Sequence, residues 1–141
     1  MELKEKQSVK DTALDHLISR SEDIADIMQR QQSEDPDIAD QAYNEFYEYG
    51  LSFEYVPPFK FSDQRAGFWC WQISWGGPSE EFRVYVDEDE RIVEIDFVYL
   101  NWGEGHTIPI ITDPMSYKNI KIDGIDETSI FDAISQLMEG R

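Results

Sequence analysis

Along the first third of the chain, apolar residues recur at the spacing of a helix. Ala13, Leu14, Leu17, Ile18, Ile24, Ala25, Ile27 and Met28 fall on one broad side at about 100° per residue. This predicts an amphipathic helix over residues 8–31, with Ser8 or Asp11 able to cap its start. The polar run Gln31-Gln32-Ser33-Glu34-Asp35 breaks the pattern, and Pro36 suits the first turn of a second helix. That helix is expected over 36–49, with Ile38, Ala39, Ala42, Tyr43 and Phe46 as its apolar face and Gly50 as its stop.

After Gly50 the period shortens to two. Residues 51–56 predict a short strand ended by Pro57-Pro58. Residues 67–75 predict another, with Trp69, Trp71, Ile73 and Trp75 on one face, closed by the turn Gly76-Gly77-Pro78-Ser79. Residues 80–86 and 91–100 predict two more strands around the acidic turn Asp87-Glu88-Asp89-Glu90. In the first of these, Phe82, Val84 and Val86 oppose Glu81, Arg83 and Tyr85; in the second, Val93, Ile95, Phe97 and Tyr99 oppose Ile92, Glu94, Asp96 and Val98. The stretch 101–125 holds Gly103, Gly105, Pro109, Pro114 and Gly124, and reads as loop with one short strand at 107–111. A last helix is expected at 126–138, capped by Asp126 and apolar at Ile130, Phe131, Ile134, Leu137 and Met138.

The order predicts an α+β fold. Two N-terminal acidic amphipathic helices precede an antiparallel β-meander of three to four strands, and a C-terminal helix follows. At 141 residues a single domain, 1–141, is expected, with 1–10 frayed, 11–50 helical and 51–141 carrying the sheet and last helix.

Charge changes the picture more than size does. Thirty Asp and Glu stand against twelve Lys and Arg, a formal net of −18. Disorder does not explain this, because disordered acidic chains are poor in the aromatics that make up 13% of this one. Self-repulsion opposes the compact state, so the charge points to use as well as solubility. Direct binding of DNA or RNA is disfavoured, since phosphate contacts need clustered Lys and Arg. Anionic membranes would repel the chain, and no run nears the ~18 apolar residues of a membrane span. The N-terminus has no apolar signal region. Cys70 is the one cysteine and suits a reducing cytosol.

Chemistry is sparse. His16 is expected at the surface beside the acids. His106, near Glu104, is the one candidate general base, and no nucleophile motif accompanies it. Two His and one Cys make no zinc set, and residues 87–90 lack an EF-hand's glycine and spacing. Cys70, between Trp69 and Trp71, has no basic sequence neighbour and reads as a structural thiol. The expectation is a non-enzyme with no catalytic residue, metal or cofactor.

The acids are the leading candidates for a binding surface. Asp11, Asp15, Glu22 and Asp26 line up as a stripe near the edge of the first helix's apolar side. Asp37, Asp40, Glu45 and Glu48 lie on the second helix, away from its apolar face. Duplex DNA carries about one charge per 1.7 Å of axis. Acids one turn apart, about 5.4 Å, on two neighbouring helices begin to approach such a row. Asp87, Glu88, Asp89 and Glu90 form a second group, for which a solvated turn is the plainer reading. The competing surface is aromatic: Trp69, Trp71, Trp75 and Trp102 can form core under the helices or an exposed patch.

Two stretches carry a resemblance. Tyr49-Gly50-Leu51-Ser52-Phe53-Glu54-Tyr55-Val56, then Gln72-Ile73-Ser74-Trp75-Gly76-Gly77-Pro78-Ser79-Glu80-Glu81-Phe82-Arg83, are similar to small acidic proteins of phages, plasmids and integrative elements. The likeness spans residues 49–103 and leaves the N-terminal helices outside. Its setting resembles that of antirestriction and anti-CRISPR inhibitors, commonly small, acidic and non-enzymatic. The resemblance implies an inhibitor of a CRISPR or restriction complex in the bacterial cytoplasm. The implied partner is a nucleic-acid-handling protein or ribonucleoprotein whose basic groove accepts the acids as a DNA mimic. The alternative is an interaction module using the aromatic sheet face, with acidity serving solubility.

Overall fold

Each helix starts where a short polar side chain can satisfy free backbone amides. The structure, a computed structural model, describes residues 8–59, 66–112 and 122–140. Helix α1 (Val9–Gln31) is capped by Ser8, which accepts from the Asp11 amide at 3.1 Å. Helix α2 (Pro36–Glu48) is capped by Asp35 with proline in its first turn, and α3 (Glu127–Glu139) by Asp126. Of the terminus expected to fray, residues 1–7 lie outside the described residues, as does Pro114.

Five strands follow one another in space in chain order: β1 (Ser52–Val56), β2 (Phe68–Ser74), β3 (Ser79–Val86), β4 (Ile92–Asn101) and β5 (Glu104–Thr112). Every neighbouring pair is antiparallel, so the α+β meander is as expected but has five strands rather than three to four. The added strand is the full length of β5. Gly105 and Pro109 make it read as loop. Pro109 is tolerated because β5 is an edge strand and Pro109 sits at a register shift opposite Asp96.

The helices cover one face of the sheet. α1 packs against β4 and β5 and touches both other helices. Trp71, Phe82, Phe97 and Ile108 form a cross-strand row beneath them. The first three rings stand 5.6 and 5.2 Å apart. Leu17 and Ile24 of α1, Phe46 of α2, and Ile130 and Ile134 of α3 close the core. Burying each such side chain contributes about 1.5–3 kcal/mol.

Three expectations about faces need correction. A register shift between Tyr85 and Val86 places Ile92 opposite Val86, so Ile92 packs on the core and Val93 is the unpaired residue. On α2 only Ala42 and Phe46 are buried, while Ile38 and Tyr43 are exposed, because α2 leans on α1 by a narrow stripe. On α3 Phe131 faces solvent and Ala133 takes the buried position.

Candidate functional site

The acids of α1 lie on the side turned away from the core. Ala13, Leu17, Ser21, Ile24 and Ile27 are the buried residues of that helix. Asp11, Asp15, Glu22 and Asp26 are all exposed, and at about 100° per residue they fall nearly opposite the buried set, not at its edge. Asp11 and Asp26 are about 22 Å apart along the axis at 1.5 Å per residue. On α2, Asp37, Asp40 and Glu48 are exposed and Glu45 is half-buried.

The two arginines of this layer are paired within the protein, whereas Lys10 at the start of α1 is exposed. Arg30 bridges the helices, donating to Asp26 at 3.0 Å and pairing with Glu45. Arg20 reaches under α1 to the sheet. Two of the eight candidate helix acids, exposed Asp26 and half-buried Glu45, thereby pair with Arg30, and Asp11, Asp15, Glu22, Asp37, Asp40 and Glu48 are exposed. Between the helices is a cleft of about 400 Å³ lined by Asp23, Asp26, Arg30, Glu45, Glu48 and Tyr49. Four carboxylates around one guanidinium give it the character of a seat for a further cation.

The turn acids are arranged differently. Asp87 folds its own turn: its Oδ1 accepts from the amides of Asp89 and Arg91, both at 2.9 Å. Glu90 takes a left-handed φ of 63°. All four acids are exposed, and the turn borders the end of α3, where Glu90 and Arg91 line a cleft with Met138 and Glu139.

The tryptophans do not form one patch. Trp71 is core, 2% exposed, and its indole donates to the Tyr49 carbonyl at 3.4 Å. Trp69 is half-buried and stacks on Phe53 at 5.2 Å. The β2 strand ends at Ser74 with a register shift between Gln72 and Ser74, so Trp75 leaves the face it was expected to share. Trp75 is 74% and Trp102 91% exposed.

The most connected polar group escaped sequence reasoning. Glu80 is 1% exposed and sits beneath α1. Its carboxylate accepts from Arg20 Nε at 3.2 Å and Nη2 at 2.6 Å, and from Ser74 at 2.7 Å. His16 Nδ1 lies 3.0 Å from Glu80 Oε1 and the His16 ring 4.9 Å from that of Tyr99. His16 is therefore a half-buried packing residue facing Glu80, not the surface histidine beside the helix acids that was expected. Burial by itself would raise the Glu80 pKa; hydrogen bonds from Arg20, Ser74 and His16 outweigh it and hold the carboxyl below its ordinary value. Arg20 also contacts Tyr49, which donates to Asp23 at 2.9 Å. The signal was present: Glu80 shares the period-two face of Phe82 and Val84, and an acid on a core face requires partners.

On the face opposite the helices, a polar row crosses the sheet through Glu54, Cys70, Arg83 and Asp96. Cys70 does have a basic neighbour in space, Arg83 on the next strand. Burial first, then Glu81 at 3.2 Å, nevertheless pushes the thiol up to about 12, which makes it inert. Arg83 donates to Glu81 at 2.9 Å. Asp96 Oδ1 is buried with no hydrogen-bond partner among the described residues, and burial, then Glu94, raises its pKa to about 6. His106 lines a mainly apolar cleft with Lys10, Leu14 and Ile108; Glu104 is exposed near the start of β5. Among the described residues no group of three His, Cys, Asp or Glu is placed to hold a metal, and no helix is long and apolar enough to cross a membrane. The chain matches no family model, no curated protein and no solved structure.

Proposed function

We propose that this protein is a non-enzymatic inhibitor that presents the acids of α1 and α2 to the basic groove of a bacterial nucleic-acid-handling complex, of the CRISPR or restriction kind. One observation carries the reading. The two arginines of the helical layer are drawn into ion pairs with Glu80, Asp26 and Glu45, while Asp11, Glu22, Asp37, Asp40 and Glu48 are exposed on two adjoining helices. Their charge is thus weakly countered from within the protein and acts on whatever approaches.

The mechanism is electrostatic exclusion. The field of the acidic layer steers a basic groove onto it. Lysine and arginine side chains that would hold phosphates meet carboxylates instead, with the cleft at Asp23, Asp26, Glu45 and Glu48 able to receive one of them. The groove is then closed to DNA or RNA. The DNA-mimic form of this reading rests on spacing: Asp11, Asp15 and Glu22, one and then about two turns apart along about 16 Å of helix, offer a row of negative charge at a pitch coarser than duplex phosphates.

The test is binding of the purified chain to a panel of nucleic-acid-handling complexes, with and without their DNA, at low and high salt. Binding that DNA competes away and salt weakens is expected. Binding indifferent to both overturns the acidic-groove mechanism.

A further inference from the structure

A tryptophan at the tip of a tight hairpin is an unusual choice. β4 ends at Asn101 and β5 begins at Glu104, so Trp102 and Gly103 alone make the turn. Both have positive φ, 50° and 83°, as a two-residue type I′ turn demands. Asn, Asp or Gly serve that first position with little strain, whereas a bulky aromatic is strained there. The Trp102 side chain gains no core burial in return, being 91% exposed. Strain retained without packing benefit points to use at the surface.

The neighbouring hairpin adds a second indole. Ser79 pairs with Leu100, so the turn between β2 and β3 stands beside the turn between β4 and β5. A Cβ placed on Gly77 would lie 3.5 Å from the Trp102 indole nitrogen, so Trp102 leans over that turn. Trp75 opens the same turn and is 74% exposed. Leu51 and Leu100, at the same end of the sheet, are exposed as well. This is an apolar tip on a protein of net charge −18, with Glu104 exposed two residues after Trp102.

We propose that the Trp75–Trp102 tip is the short-range anchor for a basic protein partner, taking arginine side chains of that partner against the indole faces. The proposal rests on the reading of the acidic helices as a surface for a basic partner, and assigns to the tip what those helices lack. Carboxylates on a helix face attract from a distance but hold weakly and are screened by salt. A guanidinium over an indole within about 6 Å is held by the ring quadrupole and by the apolar area it covers. The molecule makes a related contact internally, with the Arg83 guanidinium 4.7 Å from the centre of the Phe68 phenyl ring. The net charge selects a cationic partner over a nucleic acid, for which an indole pair alone would otherwise serve as a stacking platform. The helices then set how fast the partner arrives, and the tip sets how long it stays.

The experiment is titration of fluorescein-labelled nona-arginine and nona-lysine peptides with the full chain, read by peptide anisotropy and, for the wild type, also by tryptophan emission, across a salt series, for the wild type, the double variant Trp75→Ala/Trp102→Ala and a helix variant Asp15→Lys/Glu22→Lys. Both indoles lie outside the core, so the double variant should fold, with unchanged far-ultraviolet circular dichroism as the check. The expected result is a change in tryptophan emission on binding nona-arginine, tighter binding than for nona-lysine, and about tenfold loss in the double variant with the salt slope unchanged. The helix variant should lower the salt slope and keep the preference for arginine. A double variant that binds both peptides as tightly as the wild type overturns the anchor and leaves the acidic surface standing. Failure of the wild type to bind either peptide at low salt overturns both readings. Sedimentation velocity closes the remaining route: self-association that Trp102→Ala abolishes would make the tip a contact between copies of this chain and overturn the basic partner.

Discussion

The same side chain does opposite work on the two sides of α1. Outward, Asp11, Asp15, Glu22 and Asp26 stand in water, where each charge is cheap to hold and contributes little to folding. Inward, Glu80 is almost wholly covered, and its charge exists only because Arg20, Ser74 and His16 surround it. A carboxylate in solvent is available to a partner; a carboxylate under a helix fastens that helix to the sheet. Net charge alone merges these two roles, and only burial separates them.

The sharpest way to break the comparison is to remove an acid from each side. Glu80→Ala takes from half-buried Arg20 its closest partner, leaving only the longer contacts to Tyr49 and Asp23, and should cost about 3 kcal/mol in urea unfolding. Asp15→Lys combined with Glu22→Lys should leave stability within about 0.5 kcal/mol, as surface changes do. The same pair of changes should slow association with a basic partner about tenfold, measured by stopped-flow at low salt and shrinking as salt is added.

The pH dependence separates Glu80 from Asp96. Glu80 has a folded pKa below its ordinary value, so its stabilisation is complete above the unfolded pKa of about 4.3 and is lost as pH falls through the lower folded value. Asp96 behaves in the opposite sense. Its folded pKa of about 6 lies above an unfolded value of about 3.9, so the folded chain holds a proton that the unfolded chain has released. Stability therefore falls as pH rises across that interval. Asp96→Asn should stabilise the protein by about 1 kcal/mol at pH 7, a figure discounted for the solvent that reaches this carboxyl, and by nothing near pH 4. Melting curves at the two pH values check it. The smallest expected effect is at the tip: Trp102→Asn should raise stability by about 0.5 kcal/mol, because Asn accepts the left-handed backbone that Trp102 is held in.

The helices were legible because each carries a period of 3.6 and a start signal, in Ser8, Pro36 and Asp126, while the Asp35 cap emerged only from the structure. Strands β2, β3 and β4 were legible from alternation. β5 was legible only in its middle, since Gly105 and Pro109 oppose a strand reading that only the sheet edge makes tolerable. Register shifts at Gln72/Ser74 and Tyr85/Val86 leave no mark in the pattern, which is why Trp75 and Val93 were assigned to faces they do not share. For the candidate surface, the exposure of Asp11, Asp15, Glu22, Asp37, Asp40 and Glu48 followed from helix geometry. The loss of Asp26 and Glu45 to Arg30 did not, because that bridge joins two helices whose relative placement is tertiary.

The reach of α1 bears on how the chain is made. Its Ser21 hydroxyl accepts the Asp126 amide at 2.8 Å, across 105 positions of sequence, and its apolar side rests on β4, β5 and α3. At about 5–20 residues per second, α1 leaves the ribosome on the order of 5–20 s before the last of those partners exists. Until each partner is made, the part of its apolar side that the partner covers stays open, first to α2, then to β4 and β5, and last to α3. Neighbouring nascent copies carry the same outward carboxylates, and their mutual repulsion keeps those uncovered sides apart until the sheet arrives to cover them.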